Sequence, residues 1–99
     1  MIIKFQNNIL NLATCPHFFL SANPRYYRSS DEWCLMVGLP GYSKEDLYEI
    51  AAAQIKADNY SRAQEIIDKI LNELMKEYRT GTLTLDFEEL LKRMPIERW

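Results

Sequence analysis

The chain has 99 residues, 47% hydrophobic and 26% charged, with a formal charge of −2. That is one domain with enough apolar material to build a core without a metal or disulfide staple, and it excludes a disordered chain. Twelve basic against fourteen acidic residues exclude a bulk electrostatic binder of nucleic acid. No stretch approaches the roughly 18 apolar residues that a membrane span requires.

Met1 to Phe5 lacks the basic start, long apolar run and small-residue cleavage site of a secretory leader. The cytoplasm is therefore the expected location, with Cys15 and Cys34 as reduced thiols, although the sequence leaves a disulfide between them open. Residues 1–43 carry three basic and two acidic residues, both cysteines and the single histidine; residues 44–99 carry a charge of −3. No linker separates the parts. The reading is one domain over 1–99, with a strand-rich layer over 1–42 and a helix-rich layer over 43–99.

Met1 to Phe5 and Ile9 to Ala13 alternate in polarity around Asn7-Asn8. Asparagine tolerates the positive φ of a two-residue hairpin turn, so the chain is expected to open with a β-hairpin. His17 to Ala22 is a further apolar run, broken by Asn23-Pro24, and Glu32 to Leu39 is the next strand candidate, ended by Pro40-Gly41. Ser43 to Asp46 reads as a helix start, because the serine hydroxyl accepts from an amide one turn on and the acids suit the positive end of the dipole.

Two readings compete for Leu47 to Ala57. The Ala51 to Ala53 run favours a helix, since alanine is the best helix former and is depleted in strands. The rival is a strand over Leu47 to Ile55 fed by a turn at Pro40-Gly41, which gives a meander with one helix across it. The helix is preferred. The next segment has a clear period: Ala63, Ile66, Ile67, Ile70, Leu71, Leu74 and Tyr78 form one apolar stripe of a helix. Asp58, Asn59 or Ser61 caps it and Gly81 stops it. Thr82 to Leu85 alternates as a short strand. Asp86 with Glu89 then starts a last short helix carrying Leu90, Leu91 and Met94, closed by Pro95.

Residues 47–71 resemble one tetratricopeptide-type helical hairpin. Leu47, Ile50 and Ala51 match its first-helix apolar and small positions, and Tyr60, Ala63 and Ile67 match its turn tyrosine, small crossing residue and second-helix aromatic position. Gln54, Ile70 and Met75 depart from the pattern, and one copy makes no solenoid, so the peptide binding usual in that family is not carried over. The whole chain resembles small uncharacterised α+β proteins of bacteria and phages.

Cys15, His17 and Cys34, with Asp31 or Glu32, are residue types that bind zinc, but there is no CxxC pair. Core-packed thiols and a hydrogen-bonded histidine account for them, so no metal site is expected. Cysteine–histidine catalysis has no strained turn or oxyanion site beside it, and no phosphate-cradling glycine loop is present. No catalytic residue and no cofactor are expected. The most suggestive stretch is residues 23–30, where Arg25 and Arg28 flank Tyr26 and Tyr27. Arginine forks bind carboxylate or phosphate, and tyrosines anchor protein interfaces or stack on bases. Trp99, after Met94 to Ile96, is unusually apolar for a terminus.

The expected fold is α+β: a small antiparallel sheet, made of the N-terminal hairpin and one or two more strands, packed against two or three helices. The expected function is that of a small non-enzymatic protein-interaction module, an accessory or regulatory protein. Its partner is another protein or a second copy of itself, bound through Arg25, Tyr26, Tyr27, Arg28 and Trp99. The alternative is a small nucleotide- or RNA-binding protein using the same 23–30 loop.

Overall fold

A computed structural model describes residues 1–5, 8–14, 17–22, 31–40 and 47–98. The fold is α+β; the described residues form two three-stranded sheets and two helices. β1 (Ile2–Phe5) and β2 (Asn8–Asn11) form a hairpin as expected, but Asn8, read as a turn residue, is already in the strand opposite Phe5, and the second strand ends at Asn11, opposite Ile2, instead of reaching Ala13. A single 3-10 turn, Leu12–Thr14, follows. β3 (His17–Ala22), β4 (Glu32–Pro40) and β5 (Leu47–Lys56) make an antiparallel meander in the order β3-β4-β5. The hairpin is not part of that sheet. β1 pairs instead, in parallel, with β6 (Thr84–Asp86), giving a mixed sheet in the order β2-β1-β6.

The preferred helix over 47–57 is corrected: Leu47–Lys56 is a strand, so the first helix of the tetratricopeptide-like hairpin is absent and only the second helix exists. The reason lies in the register. Leu35 pairs with Ala53 but Met36 pairs with Ala51, so Ala52 is the extra residue of a β-bulge. Ala52 and Ala53 are both buried in the main core, opposite the fully buried Leu35. A bulge puts two side chains where a regular strand puts one, and only small ones fit. Tertiary packing overrides the helical preference of alanine. The helix start read at Ser43 to Asp46 lies outside the described residues.

α1 (Tyr60–Arg79) buries Ala63, Ile66, Ile67, Ile70 and Leu74, the core of the predicted stripe. Asn59 is its N-cap, with the side-chain oxygen accepting from the Arg62 amide at 2.9 Å. At the other end the Thr82 amide donates to the Glu77 carbonyl and the Gly81 amide to that of Tyr78. This is a Schellman ending, and it requires the φ of +80° that Gly81 adopts. α2 (Phe87–Lys92) is capped by the Asp86 carboxylate, which accepts from the amides of Glu88 and Glu89. It buries Phe87, Leu90 and Leu91.

These faces share one core. Ile3, Leu10 and Leu85 come from the inner face of the mixed sheet, and Leu35, Val37 and Ile55 from the meander. Cys34 and Met36 alternate with Leu35 and Val37 along β4; both are buried, outside that cluster. The C-terminal residues pack back: Met94 and Ile96 rest on the core, and the Glu97 carbonyl accepts from the Lys56 amide at 2.9 Å. Trp33 ties the meander to the start of α1. Its indole N–H donates to the Ala57 carbonyl at 3.1 Å, and its ring meets Tyr60 edge-on at 5.9 Å.

Candidate functional site

Arg25, Tyr26, Tyr27, Arg28 and Trp99 lie outside the described residues, as does Cys15. Of the remaining residues of the zinc reading, His17 and Cys34 do not converge. His17 pairs with Gly38, whereas Cys34 pairs with Ser21. Four register steps put their backbones about 13 Å apart along the sheet, too far for side chains that must meet at one ion. Among the described residues no group of three or more His, Cys, Asp or Glu is placed to hold a metal. Cys34 is a buried free thiol. Burial, and then the Glu32 carboxylate, pushes its pKa above the usual thiol value, which is the opposite of an activated nucleophile.

Among the described residues one concave feature is a furrow between α1 and the C-terminal segment. It consists of two adjoining hollows that share Lys69, Met94 and Pro95. The first, of about 510 Å³, also meets Asp31, Lys56, Asp58, Arg62 and Glu97. Among the described residues its three cations, Lys69 included, and three carboxylates balance. The second, of about 650 Å³, is lined by Lys69, Asn72, Glu73, Lys76, Leu90 and Arg93 besides the shared pair. Here three cations face one carboxylate.

Helical geometry builds the long wall. Arg62, Ile66, Lys69, Glu73 and Lys76 recur at spacings of three and four, so they lie along one flank of α1 beside its buried stripe. From Arg62 to Lys76 the helix rises about 21 Å. The floor is apolar: Leu90 is fully buried, while Ile66 and Met94 belong to or pack on the core. The opposite wall exists because Pro95 and the Glu97–Lys56 hydrogen bond hold the chain against the end of β5 instead of letting it continue as helix.

Among the described residues the ion pairs leave two cations of the furrow, Lys56 and Lys69, without a carboxylate partner, and only Lys69 lines both hollows. Arg62 Nη1 reaches Glu65 at 2.8 Å, Lys76 Nζ reaches Glu73 at 3.2 Å and Arg93 Nη2 reaches Glu77 at 3.4 Å. Lys69 makes no ion pair among the described residues. The i,i+4 spacing of Glu65 and Lys69 suggests a pair, but Glu65 turns to Arg62 instead. The like-charged Glu73 and Glu77 are separated by their own partners. Glu77 accepts from the Thr82 hydroxyl at 2.7 Å, and this bond, with Arg93, holds its carboxyl below the usual range. At the chain end Arg98 grips Glu88 through two nitrogens at 2.6 and 3.2 Å, which lowers the Glu88 carboxyl in the same way.

A second surface is the outer face of the mixed sheet. Ile2 and Ile9 sit diagonally across the β1–β2 pair, 43% and 75% exposed, and Leu83, whose carbonyl accepts from the Ile2 amide, is 82% exposed. The furrow escaped sequence reasoning because its flank reads as a mixed-charge solvated helix face. The partial signal was a run of cations at helical spacing beside Met94 to Ile96.

No protein-family model, curated protein or solved structure matches the chain. Among the described residues no helix is long and apolar enough to cross a membrane.

Proposed function

We propose that this protein is a small non-enzymatic interaction module that acts in the cytoplasm by binding a partner protein. The observation that supports this most is the furrow between α1 and residues 94–97. It joins an apolar floor of Leu90 and Met94 to charged walls. That combination of a buried apolar centre with a polar rim is the anatomy of a protein-recognition surface. The near-neutral composition and the raised thiol pKa of Cys34 agree with a binding role. The Arg25–Arg28 segment and Trp99 are further contact residues in this proposal.

Cross-linking mass spectrometry of the tagged full chain in its source cell tests it. The expected result is a reproducible protein partner whose cross-links fall on Lys69 or Lys76. Met94→Glu, which leaves both lysines in place, removes those cross-links, and replacing Arg25, Tyr26, Tyr27 and Arg28 with alanine weakens them. An oligonucleotide bound by the purified chain with a steep salt dependence, and no protein partner, would refute the proposal in favour of a nucleic-acid binder.

A further inference from the structure

The second hollow of the furrow runs against the charge of the chain. The whole chain carries −2. The hollow gathers Lys69, Lys76 and Arg93 around Glu73, over Leu90, Met94 and Pro95. Two of the cations are held by carboxylates, Lys76 by Glu73 and Arg93 by Glu77, and Lys69 makes no ion pair among the described residues. All three side chains are exposed at the rim. With Glu73 and Glu77 both counted, one positive charge is left over, on Lys69, and in an acidic chain that makes a charge-complementary seat for an anion. The apolar floor adds that the anion is carried by something with a nonpolar side chain.

We infer that the furrow takes an extended acidic segment of a partner protein, with an apolar side chain seated between Leu90, Met94 and Pro95 and its carboxylates meeting Lys69, Lys76 and Arg93. This deepens, and rests on, the reading of the chain as an interaction module. The dimensions agree. The α1 flank from Arg62 to Lys76 rises about 21 Å, which matches about six residues of extended chain. The hollow of about 650 Å³ admits a large aliphatic or aromatic side chain with room for its backbone. Nucleic acid fits less well. Its backbone asks for a basic track, whereas the first hollow, with Asp31, Asp58 and Glu97 along its rim, is neutral. An acidic peptide is instead positioned by the cations of the second hollow, and its flanking basic or neutral residues face the carboxylates of the first. The polarity of the furrow therefore sets the direction in which a peptide lies.

Selection of random octapeptides displayed on phage against the full chain tests this. The expected result is enrichment of peptides with two or more acidic residues beside one large apolar residue. Their affinity, read by fluorescence anisotropy, falls about tenfold for the double variant Lys69→Glu/Arg93→Glu and falls as salt screens the contact. Lys4→Glu, on the outer face of the mixed sheet and outside both hollows, leaves the affinity unchanged, and circular dichroism confirms that each variant is folded. Enriched peptides that lack acidic residues but still lose binding on Met94→Glu would overturn the acidic assignment and leave the interaction module standing. Absence of any enrichment, or selected peptides indifferent to every furrow variant, would overturn both the assignment and the furrow as the binding site. A single-stranded oligonucleotide that binds more tightly than the selected peptides, with the same sensitivity to Lys69→Glu/Arg93→Glu, would assign the site to nucleic acid.

Discussion

Deleting one alanine from the Ala51–Ala53 run probes the β5 bulge directly. The three residues are identical, so removing any one gives the same protein. In the strand, the loss of the extra residue lets Ala51 and Ala53 become consecutive partners of Met36 and Leu35, and the ladder becomes regular without turning any other side chain. The cost is one buried methyl, about 0.8 kcal/mol, and a void of roughly 25 Å³ that adds about 0.6 kcal/mol. Urea unfolding followed by helical circular dichroism and Trp33 fluorescence reads the change. With a slope of roughly 1.2 kcal/mol per M for a chain of this size, the midpoint falls by about 1 M. Inserting a fourth alanine is worse. It either leaves two residues unpaired or slides Leu47–Ala51 by one, turning Ile50 away from the core, and costs about 3 kcal/mol. Were the segment a helix, deletion and insertion would each rotate its face by about 100° and do comparable damage. Equal costs for the two variants would refute the bulged strand.

Other outcomes follow from the core, the helix end and the carboxylates. Ile70→Ala, at a fully buried position of α1, costs about 3 kcal/mol in the same urea assay, whereas Met75→Ala, 44% exposed, stays within about 0.5 kcal/mol. Gly81→Ala meets no atom within 4 Å, so its cost of about 1 kcal/mol comes from the left-handed backbone alone, and Gly81→Asn costs less. The carboxyls of Glu77 and Glu88 are held below their ordinary value of 4.5 in the folded chain. Their stabilising contribution is therefore complete above that pH and is lost as the pH falls through the lowered folded values. Thermal midpoints measured from about pH 6 down to about pH 3 decline on that limb, and Glu88→Gln or Arg98→Ala makes the decline shallower.

Much of the fold was legible where physical preferences are local. The Met1–Phe5 alternation, the capping residues Asn59 and Asp86, the stop at Gly81 and the stripe from Ala63 to Leu74 act within a few residues, and each lies in the expected element. What escaped was non-local. The parallel pairing of β1 with β6 joins residues about eighty positions apart, and no local pattern marks it. The Ala51–Ala53 run misleads because its propensity is helical while its use is steric, to fit two side chains opposite Leu35. The furrow is a tertiary product in the same sense. Lys69 and Arg93 face one hollow only because α2 and the Glu97–Lys56 bond return the chain to the flank of α1. The Arg25–Arg28 segment and Trp99 remain contact candidates on residue chemistry alone.

Amide chemical-shift mapping by NMR, with an acidic octapeptide from the phage selection added to the isotopically labelled full chain, shows where the peptide sits. Binding in the furrow gives saturable shifts that form one surface, from Lys69 through Asn72 and Lys76 to Arg93 and Met94, with Ile2, Ile9 and Leu83 unmoved. Shifts confined to the outer face of the mixed sheet or to residues 23–30, with the furrow silent, would contradict it.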